Sequence, residues 1–297
     1  MGATVPEWLL TAVIAVTVFT VMFGIGLGVA PGELGRLWRQ PALMLRGLFS
    51  VLVVVPALAL AIARAFDLPR AAEVGIVLMA ISPGAPVGLR RSLAAGGHTT
   101  FAPGLQICVA VLAVVSMPLW IAALEQLYAA HASIDPRDVM RQVFIAQLLP
   151  LGLGMMLRHY GEQFAVRVEP AVRRAGTVLL IVAILLVLAE LWRPLYEARA
   201  ATIAAMVLTT AAALAAGHLL GGPTPATRTA VAIASAARNA SLALLVATVN
   251  QASPAIFATV LAYVLVSLLA ITPYAAWRHR AARRASEYAS PPGPAAR

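Results

Sequence analysis

Apolar residues run along this chain in blocks of about twenty, and the short segments between them hold most of the arginines and acids. Within a block the apolar positions neither alternate nor keep to one helical stripe. They occupy every face, as expected of helices surrounded by hydrocarbon or by other helices. About twenty residues at 1.5 Å rise match a hydrocarbon core of about 30 Å. The pattern predicts nine spans, at about 8–29, 41–64, 71–94, 101–125, 140–158, 171–192, 201–220, 226–248 and 254–277. A porin-like barrel would show alternating segments of ~10 residues instead. The expected fold is an all-α integral membrane protein.

Two spans break the pattern. The third contains Ser82, Pro83, Gly84, Ala85, Pro86, Val87 and Gly88. Its prolines each remove a hydrogen-bond donor and clash with the preceding turn, and its glycines add backbone freedom. A continuous helix cannot pass through. The backbone groups freed there must find protein, water or ligand. The half-helix after Gly88 offers a positive end suited to an anion, with Arg90 and Arg91 one turn on. The bland alternative is a packing kink with both arginines reaching for the membrane surface.

The eighth span carries Arg238, flanked by Ser235, Asn239 and Ser241. An arginine at mid-span costs between about 2.5 and more than 10 kcal/mol, depending on the reference state. Pairing with a buried carboxylate would offset that cost, yet the nearest acids, Glu73 and Glu190, fall near span ends. Arg238 is therefore read as a binding-site residue. At helical spacing, Ser235 shares a face with both Arg238 and Asn239. Gln106 joins the candidates because it follows the third-span break closely; Ser116, Gln147, Asn250 and Ser267 read singly as helix–helix contacts. Gly24, Gly26 and Gly28, with Gly152 and Gly154, suggest close helix packing.

Composition agrees with a membrane protein. The chain is 61% hydrophobic and 11% charged, against about 25% charged in soluble domains. A net charge of +10 raises the possibility of nucleic-acid binding. The placement of the arginines, in loops and near the C-terminus, rejects it. All 22 basic residues are arginine. One cysteine, Cys108, leaves no intramolecular disulfide or paired-cysteine metal site, and the five histidines lack ligand spacing. With no mid-span His or Asp, an intramembrane hydrolase is disfavoured, and no enzyme activity or cofactor is expected. The N-terminal block has no basic leader or cleavage site and reads as a retained span.

Arginine placement sets the expected orientation. A cytoplasmic C-terminus puts Arg36, Arg39, Arg158, Arg167, Arg173, Arg174, Arg228, Arg278, Arg280, Arg283 and Arg284 inside. It leaves Arg64, Arg70, Arg137, Arg141, Arg193 and Arg199 outside, diluted by Asp67, Glu125, Asp135, Asp138 and Glu197. N-out, C-in across the inner (plasma) membrane follows. Spans 1–4 and 6–9 run in the same order, with the anomalous helix third in each half. The odd fifth span inverts one half relative to the other, which is the inverted-repeat pattern of secondary transporters. The expected divisions are a first repeat at 1–127, a connecting span at 128–169, an inverted repeat at 170–279 and a disordered tail at 280–297.

These two anomalous spans resemble those of the bile acid:sodium symporter family. That family carries Cys/Ser-Pro-Gly-Gly followed by Ser-Asn in one crossing helix, and Glu-x-Gly-x-Gln-Asn followed by small residues and Leu-Ala in the other. Ser82, Pro83 and Gly84 match the first; Asn239, Leu242 and Ala243 match the end of the second; Phe23 to Leu27 is similar to a third motif, Met-Phe-Gly-Met-Gly-Leu. The likeness follows span order along nearly the whole chain, apart from one N-terminal span of ten-span members. The departures fall on the family's sodium ligands. Gly88 and Leu89 stand where it has Ser-Asn, Ala234 where it has the glutamate, Arg238 where it has glutamine, and Ala102 and Gln106 where hydroxyls are usual.

The resemblance implies a panel of spans 1, 5 and 6 and a core of spans 2–4 and 7–9, with crossing helices 3 and 8 holding the site. The expected activity is alternating-access transport of a small or amphipathic organic anion. Sodium needs several hard oxygen ligands, so sodium coupling, though conceivable, is not expected, and Arg238 replaces a bound cation. The alternatives are an anion channel, a metalloid-anion exporter on a related fold, or a sodium symporter with a displaced ion site. The substrate, the direction of transport and the oligomeric state are left open.

Overall fold

A computed structural model describes residues 7–29, 40–128, 136–196 and 199–289. Arg36, Arg39, Asp135, Glu197 and residues 290–297 lie outside the described residues, as do the side chains of Pro86, Glu190 and Arg193. Helices and short turns make up the described residues, and no strand occurs among them. Six helices are long and apolar enough to cross a membrane: Pro41–Ala65, Phe101–Leu127, Arg137–Tyr160, Ala200–Leu220, Pro225–Val249 and Pro254–Ala285. This is a multi-pass, all-α membrane protein.

The first helix, α1, is Glu7–Leu27. Helix α2 is Pro41–Ala65, wound as a π turn over Ser50–Val54. Helices α3 (Arg70–Ala80) and α4 (Pro86–Ala94) are the two halves of the predicted third span. Helix α5 is Phe101–Tyr128. Helix α6 joins Pro136–Val143, a π turn at Phe144–Leu148 and Leu149–Tyr160. Helix α7 is Glu162–Tyr196 and α8 is Ala200–Leu220. Helices α9 (Pro225–Ala236) and α10 (Ala240–Val249) are the halves of the eighth span. The last, α11, is Pro254–Ala289.

The tail expected to be disordered from 280 is helical to Ala289. Its Ala, Arg and Glu are strong helix formers, and they extend α11 beyond its apolar stretch.

Both π turns have the same local cause. Val55 N–H reaches back five residues to Ser50, and Leu149 N–H reaches back to Phe144. In each case the next residue is proline, Pro56 or Pro150, with no N–H to give. The carbonyl of Val51 is thereby stranded, because Val55 is taken and Pro56 cannot donate. Nearby, Leu52 O accepts the Trp120 indole N–H at 2.8 Å.

Helices α1, α6 and α7 pack on one another. Gly26 of α1 and Gly154 of α6 face each other so closely that a Cβ on either would overlap the opposite main chain, at Leu151 O and Phe23 O. The remaining helices form a second group, with α8 against α9, α3 against α2 and α11, and α4 against α9. The two groups meet where α1 touches α10, α7 touches α11 and α5 touches α6.

Candidate functional site

The breaks of spans 3 and 8 are hydrogen-bonded to each other. Pro86 cannot donate to Ser82 O, four residues back, so that carbonyl accepts Asn239 N–H at 2.8 Å instead. Asn239, having crossed over, no longer serves Ser235 O. Span 8 opens here without proline or glycine: Ala237 and Asn239 are extended, and Asn239 Oδ1 caps α10 by accepting Leu242 N–H at 3.2 Å. The single helical face expected for Ser235 and Asn239 therefore does not exist; they lie on opposite sides of a break. Gly88 is also needed here, because a Cβ on it would stand 2.6 Å from Ala237 Cβ.

Arg238 sits in this crossing, 6% exposed. Its Nη1 donates to Val51 O at 3.1 Å and Ala80 O at 2.9 Å, and its Nη2 donates to Ser235 O at 2.5 Å. Each acceptor is a carbonyl that the fold has stranded. Val51 lost its partner to the π turn and Pro56, Ala80 ends α3 at the break, and Ser235 gave up Asn239. The sequence weighed a carboxylate partner against a ligand for this arginine; main-chain carbonyls are its partners. Two of them terminate helices whose C-terminal ends carry partial negative charge. Arg238 Nε has no hydrogen-bond partner among the described residues.

A cavity of about 110 Å³ opens beside the crossing, between α7 and the broken helices. Gly88, Arg91, Arg238, Asn239 and Ser241 line it, so five of the sequence candidates come together there. Asn239 Nδ2, like Arg238 Nε, is a buried donor without a partner among the described residues. Val87 and Gly88 open α4, and Ala240 and Ser241 open α10, so two positive helix ends face the space. Arg91 borders it while donating to Leu268 O at 3.0 Å and Thr272 Oγ1 at 3.4 Å. Leu180, Ile184, Val264, Leu268 and Ile271 supply apolar wall. Two positive helix ends, bordering arginines, no lining carboxylate and apolar sides suit an anion with a hydrocarbon portion.

The other candidates lie elsewhere. Ser82 is buried and donates to Leu78 O at 2.7 Å; Pro83 is buried beside it. Gly84 takes φ +88°, a conformation open to glycine, and Gln106 Nε2 lies unpaired near it on the α5 side. Pro86 opens α4. Ser235 Oγ shares a hydrogen bond with Ser50 Oγ at 2.9 Å. Arg90 is exposed and does not line the cavity. Sequence reasoning missed the contribution of α7 and α11. Its one trace was Ser267, read as a packing residue, which lines the cavity on the same stripe as Val264, Leu268 and Ile271.

Comparison with known proteins gives a consistent result. The sodium bile acid symporter family matches residues 15–198, more than half of the chain. The human P3 protein is 27% identical over 146 residues, 49% of this chain and 31% of its own length. The uncharacterized sodium-dependent transporter YocS of Bacillus subtilis is 25% identical over 175 residues, 57% of this chain and 53% of its own. The human sodium/bile acid cotransporter 4 is 28% identical over 140 residues, 46% of this chain and 32% of its own. The matched region thus spans about a third to a half of these relatives' length.

Proposed function

Since this chain belongs to the sodium bile acid symporter family, we propose that it is a secondary transporter of a small organic anion, not coupled to sodium. The observation that carries the reading is the Arg238 guanidinium seated on three carbonyls at the crossing of the two broken helices. Those oxygens are the hard ligands a bare cation would need at this point. A permanent, covalently attached cation occupies them and borders the cavity beside Asn239.

In this reading the anion lies at the N-termini of α4 and α10 beside Arg238, Asn239 and Ser241, with its apolar part against α7 and α11. The volume favours a compact solute. About 110 Å³ holds several waters at roughly 10–15 Å³ each, whereas drug-sized pockets run to about 300–1,000 Å³. Helices α1, α6 and α7 act as the panel and the others as the core, rocking about the fixed crossing. The protein lies in the plasma membrane with its C-terminus cytoplasmic.

The test is a thermal-shift screen of small carboxylates and sulfonates on purified protein in sodium and in choline buffer, followed by flux in proteoliposomes. Equal stabilisation in both buffers, and saturable uptake without sodium, is the expected result. Uptake that disappears when choline replaces sodium would overturn the sodium-free reading. It would favour the second one, a sodium symporter with a displaced ion site, which the names of the Bacillus transporter and the human cotransporter support.

A further inference from the structure

The length of α11 exceeds what a bilayer requires. Its 36 residues extend about 54 Å at 1.5 Å each, against a hydrocarbon core of about 30 Å. From Pro254 to Trp277 it contains no charged residue, and from Arg278 onward it is basic. Tyr274 and Trp277 pack edge to face at 5.7 Å between their rings, and both stack on His218 of α8. Such amphipathic rings gather at the hydrocarbon boundary. Arg280 and Arg284 then project roughly 5 and 10 Å past Trp277, at the depth of the phospholipid headgroups.

The arginines of this end have separate tasks. Arg278 turns inward, donating to Thr229 Oγ1 at 2.8 Å and Pro225 O at 2.9 Å, with its guanidinium carbon 5.1 Å from the Trp277 ring centre. Arg280 and Arg284 are exposed, one turn apart on one face, and neither has a hydrogen-bond or ion-pair partner among the described residues. With Pro273, Ala276, Trp277 and Ala281 they line an open groove of about 510 Å³ that contains no carboxylate. No Asp or Glu occurs in the sequence between Glu197 and Glu287. Towards the membrane the same face continues through Leu269, 74% exposed, and Leu265, 43% exposed.

We propose that this face of α11 is a binding site for an anionic phospholipid. The phosphate group sits between Arg280 and Arg284 against Trp277, and an acyl chain lies along Pro273, Leu269 and Leu265. A zwitterionic headgroup brings its own ammonium beside its phosphate and so adds no net counter-charge to the two guanidinium groups, and a soluble phosphate leaves the apolar strip uncovered. The continuity of charge and apolar surface therefore selects an amphiphile. Arg278 fixes the Trp277 ring and ties the groove to the start of α9, so an occupied site braces α11 against α9.

The test measures thermal unfolding of the full chain in micelles of phosphatidylcholine with increasing phosphatidylglycerol. Wild type should gain a few degrees. The double variant R280Q/R284Q should lose that gain, and R280K/R284K should keep most of it. A charge-matched control, R167Q/R174Q, removes two exposed arginines elsewhere and should behave as wild type. Equal melting temperatures in pure phosphatidylcholine establish that all variants fold. A gain retained by R280Q/R284Q, or lost equally by the control, would overturn the site in favour of bulk charge attraction. A full gain from free glycerol phosphate would overturn the lipid as its occupant.

Discussion

Arg238 shows how a single buried charge can be held without an acid. Its cost in the membrane is offset by three charge-assisted hydrogen bonds to carbonyls that would otherwise be unpaired. The dependence is mutual. Replacing Arg238 by glutamine leaves neutral carbonyls unsatisfied in a buried site, and each such group typically costs about 1–3 kcal/mol. We expect Arg238→Gln to lower the melting temperature in detergent by several degrees. Arg238→Lys keeps the charge but not the planar fork, and should fall between the two. Added guanidinium should restore stability to Arg238→Ala by refilling the carbonyl cluster. If Arg238→Gln melts with wild type, the arginine does not hold the crossing together.

The unit of design at the level of elements is the interrupted helix, and proline and asparagine interrupt it differently. Pro56 and Pro86 withdraw donors, and each withdrawal passes a carbonyl to another element: Val51 O to Arg238, and Ser82 O to Asn239. Span 8 opens only because its Asn239 N–H is drawn to Ser82. Its two halves therefore depend on span 3. Gly88→Leu should force the breaks apart through Ala237, abolishing anion-induced stabilisation while the remaining packing persists. Gly26→Ala tests the other group. Its methyl meets backbone at Leu151, which has no rotamer to escape into, so a loss of about 1–3 kcal/mol is expected, read as a lower melting temperature with ligand response preserved. Ile184→Trp should fill the cavity wall, removing the ligand response at unchanged stability.

At the scale of the whole molecule, two groups of helices meet, and the cavity lies where they do, between α7 and the crossing. The arrangement suits alternating access because the donors sit on the crossing helices while part of the apolar wall sits on the other group. If the carrier reading holds, swapping sodium for choline leaves uptake unchanged, and preloading with unlabelled anion accelerates exchange. Unitary currents in planar bilayers would instead indicate a channel.

Much of this was legible in the chain. Apolar blocks of membrane length determine an all-α membrane protein because every backbone group in hydrocarbon must be satisfied locally. The two prolines and two glycines of the third span announce a break for the same reason. The sequence also marked Arg238 and Asn239 as residues that do not belong in lipid. The tertiary structure alone decided what they do. The eighth span has propensities for unbroken helix, and only the competing acceptor at Ser82 opens it. The partners of Arg238 are main-chain oxygens, which carry no residue type and leave no trace in composition. The cavity wall likewise depends on α7 and α11 meeting the crossing from afar, through packing among apolar residues that any neighbouring helix could have supplied.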